Sequence, residues 1–230
     1  MQVRVFRWLD REFVEISAES RFGVAPDQGI IKLFQRFDDE LRLHGLSLNN
    51  CVRVRIWGRD KAARTVATAA RSKVLTGHSK AASSSFISSQ WLDSDAVAGL
   101  ELLAMKPLHS NAERHPAEFE PARNYLCCLR YDSVAFYSGY TSEANTLSDQ
   151  VTDVLRTITG ARAISGGLTQ DFRKSGLLSV FLHRSQNLST VKDLLAKETW
   201  IDLANVEFRF VDGFAGEKYL IEIEATALAG

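Results

Sequence analysis

Leu220-Ile-Glu-Ile-Glu-Ala225, near the end of the chain, has a counterpart in Gly99-Leu-Glu-Leu-Leu-Ala104, near its middle. Both read as strands, and each sets a glutamate, Glu222 or Glu101, three residues before an alanine. A second pair lies upstream: Gly45-Leu-Ser leads into Cys51-Val-Arg-Val-Arg-Ile-Trp57, and Gly176-Leu leads into Leu178-Ser-Val-Phe-Leu-His183. Matched segments in the same order suggest an internal repeat, and the predicted elements between them agree. In the first half, 2–8 and 13–17 form a strand pair. Asp27 caps a helix whose apolar positions Ile30, Leu33, Phe34, Phe37 and Leu41 share one face, and Gly45 closes it. The strand 51–57, an alanine-rich helix over 61–75, and strands 82–90 and 96–105 complete ββαβαββ. In the second half, 125–131 and 133–138 pair across a turn at Asp132, and Leu147, Val151, Val154, Leu155 and Ile158 mark a helix. A strand at 176–183, a short helix through Leu188, Val191, Leu194 and Leu195, and strands 206–211 and 218–227 repeat the order. The expected fold class is α+β, a tandem duplication of one ββαβαββ unit.

Three of the four prolines, Pro107, Pro116 and Pro121, fall between Lys106 and Arg123, where no apolar period is visible. This gives an N-terminal domain over 1–105, a linker over 106–123 and a C-terminal domain over 124–230. The 28 basic and 28 acidic residues cancel, and 45% of the chain is hydrophobic, a globular composition without the broad positive field of a nonspecific nucleic-acid binder. We therefore expect no nucleic-acid partner. No apolar run reaches the roughly 18 residues of a membrane span, and the start Met1-Gln-Val-Arg-Val-Phe-Arg-Trp8 lacks a signal-peptide core. No membrane association and a cytoplasmic location follow as expectations. Cys51, Cys127 and Cys128 are an odd number of thiols, read as reduced and buried.

Tyr137-Ser-Gly-Tyr-Thr141, then Thr146-Leu-Ser-Asp-Gln150 opening a helix, and finally Tyr219-Leu-Ile-Glu-Ile-Glu-Ala225 resemble the Rid/YjgF family, whose older label is endoribonuclease L-PSP. The first half resembles it through Leu43-His-Gly-Leu-Ser-Leu-Asn-Asn-Cys-Val-Arg-Val-Arg-Ile-Trp57 and the strand 99–104. The resemblance implies a chorismate-mutase-like fold in which three sheets pack into a barrel, with ligand sites in the clefts between domains. It also implies deaminase chemistry without metal or cofactor: a 2-imino or enamine acid is hydrolysed to a 2-oxo acid and ammonia. An arginine holds the carboxylate and a glutamate positions water. One two-domain chain cannot close a three-sheet barrel. Three chains supply enough domains for two stacked rings, so a homotrimer is expected. The chain departs from the pattern at the arginine. Counting back the family's spacing from Glu222 reaches Glu207, and from Glu101 it reaches Phe86.

Glu222, and more weakly Glu101, are therefore the candidate catalytic residues, against the plain reading of glutamates on a solvated strand face. Arg209 shares a strand face with Glu207 and is the candidate carboxylate anchor, unless it only makes cross-strand ion pairs. Lys80 would serve in the first half only as a point charge. Ser138, Gly139 and Tyr140 lie between a strand and a helix, where they either contact an anionic ligand or form a turn that needs glycine. Ser83, Ser84, Ser85, Ser88 and Ser89 line either a cleft or an exposed edge. Arg53 and Arg55 alternate with Val52, Val54 and Ile56, which reads as the polar face of a half-buried strand; with Arg59, Arg64 and Arg71 nearby and Trp57 interleaved, the same residues read otherwise as a basic patch for an acidic small molecule or an RNA backbone. His109 and His115 lack partners at a metal-ligand spacing, so no metal is expected. Two readings stand: a Rid-like protein acting on a small acidic, carbonyl or imine metabolite, and a non-catalytic binding or regulatory module that has lost the family's arginine.

Overall fold

The protein was analysed as a computed structural model that describes residues 1–21, 23–93, 95–164 and 172–228, with 161–164 described by backbone alone. In the first half, β1 (Gln2–Trp8) and β2 (Arg11–Arg21) form a hairpin over Leu9 and Asp10, both at positive φ. There follow α1 (Pro26–Leu43), β3 (Cys51–Gly58), α2 (Lys61–Val74), β4 (Ala82–Ile87) and β5 (Ala96–Lys106). In the second half, β6 (Arg114–Ala117), β7 (Cys128–Tyr131), β8 (Val134–Tyr140), α3 (Leu147–Ile164), α4 (Phe172–Ser175) and β9 (Leu177–His183) precede α5 (Leu188–Leu195), β10 (Val206–Val211) and β11 (Ile221–Leu228). The first sheet runs β1-β2-β5-β3-β4 and the second β6-β7-β8-β11-β9-β10. Apart from β6, the two orders correspond strand for strand. Each half also pairs β3 with β4, or β9 with β10, in parallel across a helix. The architecture is α+β with two similar ββαβαββ-like units.

Two local expectations change. Pro26 occupies the first turn of α1 and Ala25 the cap, with no side-chain cap bond, so Asp27 lies inside the first turn. There it faces the positive helix end instead of capping it. The helix end is as expected: Gly45 has φ +71°, and Leu46 N–H returns to Leu41 O at 2.9 Å. The linker also carries an element the proline content hid. β6 pairs with β7 at the edge of the second sheet, where Pro116 interrupts no interior ladder. Arg114 on β6 donates to the carbonyls of Asn49, Cys51 and Lys80, tying this segment to the first half.

Each sheet covers its outer face with helices and turns its inner face toward the other sheet. Ile30, Leu33, Phe34 and Phe37 of α1 pack on Val14, Val54 and Leu100; Val151, Val154 and Ile158 of α3 pack on Val180 and Ile223. Between the sheets lie two apolar clusters, one around Trp57, Phe86 and Phe181 and the other around Phe13, Leu126 and Phe136. The rings of Phe86 and Phe181 stack at 4.0 Å, and burying each contributes about 1.5–3 kcal/mol. Both sheets border one shared interior. No helix is long and apolar enough to cross a membrane among the described residues.

Ser138 joins the halves directly. Its hydroxyl accepts from Ser83 N–H at 2.8 Å and donates to Leu126 O at 2.5 Å, fully buried. Ser138→Ala is expected to strand both backbone groups and cost about 1–3 kcal/mol in urea unfolding; a change within error would show that water replaces the hydroxyl.

Candidate functional site

Strand alternation aims Arg53 and Arg55 on β3 and Glu222, Glu224 and Thr226 on β11 into the space between the sheets. Arg55 is the hub. It donates Nε and Nη2 to Glu224, at 3.0 and 2.6 Å to Oε2, Nη2 to Ser179 Oγ at 3.2 Å, and Nη1 to Glu101. Arg53 donates to Thr226 Oγ1 and Ala225 O, both at 2.7 Å, and to Tyr137 O, and its Nε lies 3.3 Å from Glu224 Oε2. Arg209 on β10 closes the network from the other edge, with Nη1 at 3.1 Å from Glu101 Oε2. Arg53, Arg55 and Glu224 are buried. Burial works to neutralise Glu224, but Arg55 and Arg53 outweigh it and hold the carboxyl down at about 2. Burial likewise acts against the Glu101 charge, and Arg55 and Arg209 overcome it.

Beside this network opens a cavity of about 370 Å³ between β1 and β10. Arg4, Arg7, Arg53, Arg55, Lys174 and Arg209 line it against three acids, Glu15, Glu101 and Glu207. The cationic excess suits an acidic small molecule.

A different environment surrounds Glu222, at the seam where β4 meets β8. Its side chain is 5% exposed. Gly139 is needed here: a Cβ at that position would overlap the Glu222 carboxyl and the Ser84 hydroxyl. A bulge in β8 opposite β11 brings Gly139 to this point. Gln150, buried on α3, accepts from Leu220 N–H and donates to Lys218 O and Ala144 O, fixing the start of β11 two residues before Glu222. Burial first, and then the neighbouring Glu224 charge, push the Glu222 carboxyl up to about 8, so it is uncharged at neutral pH. Ser84 Oγ lies beside it, and its hydrogen bonding works to lower the Glu222 and Glu224 carboxyls alike. Arg64 of α2 reaches around the edge of β4, gives Nη1 to Ser85 Oγ at 2.6 Å, and leaves a buried Nε without a partner. It acts on Glu222 electrostatically without forming an ion pair. An uncharged acid, a hydroxyl beside it and an unpartnered guanidinium N–H thus meet where the halves join. The set can donate a proton and hold an anion.

The residues picked from sequence fall into three groups. Glu222 and Gly139 meet at the seam. Arg209 and Glu101 meet each other in the inner cavity, and the guanidinium at the seam is Arg64, from the opposite half. Ser138 and Tyr140 are engaged internally: Tyr140 Oη lies 2.9 Å from Cys127 Sγ and donates to Cys127 O at 3.1 Å. Cys51, Cys127 and Cys128 are buried and lie outside any disulfide among the described residues. Sequence reading passed over Glu224 and Ser179 and took Arg64 only as a member of a basic patch around Trp57. Glu224 left a trace, two residues beyond Glu222 on a strand that buries both faces, and Arg64, Ala67 and Arg71 have the spacing of one helix face.

No protein-family model matches the chain, and no curated protein is significantly similar to it in sequence. Among solved structures, a chorismatase superposes on 98% of this chain and 77% of its own, with a TM-score of 0.58 at 15% identity. That likeness shows that the two-unit arrangement occurs as a whole in another protein. A member of the YjgF/YER057c/UK114 family from Mycobacterium tuberculosis covers 51% of this chain and 100% of its own, with a TM-score of 0.42 at 22% identity. A Rid-family protein from Yersinia pestis does so over 51% and 100%, with a TM-score of 0.44 at 18% identity.

Proposed function

We propose that the chain is a duplicated Rid-like protein that hydrolyses a small acidic metabolite at the seam between its halves, with Glu222 as acid and base and Arg64 as the anchor for the ligand's carboxylate. The carrying observation is the buried, uncharged Glu222 beside the Ser84 hydroxyl and the unpartnered Nε of buried Arg64. On a 2-imino acid, Glu222 gives its proton to the imine nitrogen. As a carboxylate it then accepts a proton from the water that attacks the carbon. A second transfer, from the new hydroxyl to the amino group, releases ammonia and the 2-oxo acid and leaves Glu222 protonated again. The reaction needs no metal or cofactor. The chorismatase neighbour makes chorismate, a dicarboxylate with an acid-labile enol ether, a second substrate to test.

The first experiment measures ammonia release from freshly generated 2-iminobutyrate, with semicarbazide trapping of surviving imine, and loss of chorismate in parallel. Wild type is expected to accelerate one of them, and Arg64→Ala to raise KM more than it lowers kcat, because a carboxylate anchor binds ground state and transition state alike. No acceleration of either by folded protein would remove the hydrolase reading.

The inner cavity supports the second reading, a binding module without chemistry. Arg209 there gives one N–H to Glu101 and lies over Trp91 at 5.6 Å, leaving other N–H groups for a carboxylate. On this reading Arg209→Ala abolishes metabolite binding and Glu222→Gln does not. Assembly into a homotrimer belongs to the proposal too, with the exposed strand β1, including Val3 and Val5, as a surface another copy covers. Light scattering at the mass of a single chain would remove it.

A further inference from the structure

Among the described residues, Arg71 is the buried arginine beside which no carboxylate is found. Arg11 faces Asp132, Arg53 and Arg55 face Glu224, and Arg64 feels Glu222. Arg71, 3% exposed on α2, donates Nη2 to Ser72 Oγ at 3.0 Å and lies over the Tyr125 ring at 5.6 Å. Its buried Nε has no hydrogen-bond partner. Burial lowers its pKa to about 10, which leaves it charged at neutral pH. The carbonyls at the end of α2 offset part of that charge, but a buried cation without a counter-ion is strongly disfavoured.

Arg71 borders a groove of about 450 Å³ between α2 and residues 122–125. Arg123, Asn124 and Tyr125 form its far wall, and its lining contains no aspartate or glutamate. The hydroxyls of Thr65, Thr68 and Ser72 donate back to their own helix. The donors left for a ligand are therefore Arg71, Arg123 and the Asn124 amide. Arg123 gives Nη1 to Tyr125 Oη at 3.0 Å and lies over the Phe119 ring, again with no carboxylate partner among the described residues.

We propose that this groove binds a phosphate-class dianion, with the guanidiniums of Arg71 and Arg123 supplying its two counter-charges. A single carboxylate would balance only one of them, and guanidinium geometry suits paired phosphate oxygens. The site is separate from Glu222 and does not depend on the hydrolase reading.

The test titrates inorganic phosphate into the full chain at constant ionic strength, following phosphorus NMR line width and thermal melting, with acetate as the monoanion control. Expected are saturable phosphate binding that raises Tm, affinity at least about tenfold above that for acetate, loss of binding in Arg71→Met, and weakening of about tenfold in Arg123→Ala. In phosphate-free buffer Arg71→Met should melt no lower than wild type, since it removes an unpaired buried charge. Failure of wild type to bind phosphate saturably, equal binding of acetate, or unchanged affinity in the Arg123 variant would each overturn the proposal. The Arg123 variant decides the matter if Arg71→Met does not fold.

Discussion

Glu224→Ala is expected to lower the free energy of unfolding by about 3–5 kcal/mol, a large share of the total stability of an ordinary domain. The carboxylate is fully buried and takes both Nε and Nη2 of Arg55, with Arg53 alongside. Its removal leaves two guanidiniums from the first half facing a gap in the second, with Glu101 as the charged acid still paired to Arg55. The loss should come from stranded charge and not from missing packing. Arg55→Met combined with Glu224→Met is therefore expected to recover at least half of it, because an apolar pair replaces a buried ion pair at little cost. Urea unfolding of the two single variants and the double variant measures the coupling directly. A cost below about 1 kcal/mol for Glu224→Ala would mean that the halves do not rely on this network. The same carboxylate gives the fold an acid limit. Its folded pKa of about 2 lies below the ordinary 4.5, so its contribution is complete above pH 4.5 and is lost as pH falls toward 2.

The network also shows where the sequence stops being informative. Alternation along Cys51-Val-Arg-Val-Arg-Ile-Trp57 placed Arg53 and Arg55 on one polar face, but a polar strand face is ordinarily a wet one. Nothing local says that a second sheet lies across it, and Glu224 is 169 residues away. The duplication itself was legible, because element order depends on apolar period and turn residues, which are local signals. The α1 helix was legible from Ile30 to Gly45 and misread only at its start, where Pro26 at the first turn displaced the expected cap. Strand β6 was not legible at all: His115 and Pro116 carry no strand signal, and only pairing with β7 makes them one. At the seam, Glu222 and Gly139 were found because they belong to patterned stretches. Arg64 was visible only as one arginine of a basic patch, since its nearness to Glu222 comes from the packing of the two halves.

Glu222→Gln is expected to have two effects of opposite sign. Turnover at the seam should fall by about 10²–10⁴-fold, the range for removing a general acid and base, because the amide keeps the shape but can neither give up nor take a proton. Stability should rise, and only at higher pH. The ordinary carboxyl value is 4.5 and the folded value about 8, so between these limits the folded chain holds a proton that the unfolded chain releases. The contribution is complete below pH 4.5 and is lost as pH rises through 8. Wild type and variant should therefore melt together near pH 4.5 and separate progressively, reaching a difference on the order of a few kcal/mol by pH 9. Parallel melting profiles across that range would show that the carboxyl is not held uncharged. A buried glutamate with a purely structural role would move stability and leave turnover alone, and a solvated catalytic one would do the reverse. The two effects together require a single group that is both desolvated and reactive, and a desolvated, destabilising acid kept at the junction of two halves is what acid catalysis at neutral pH would require.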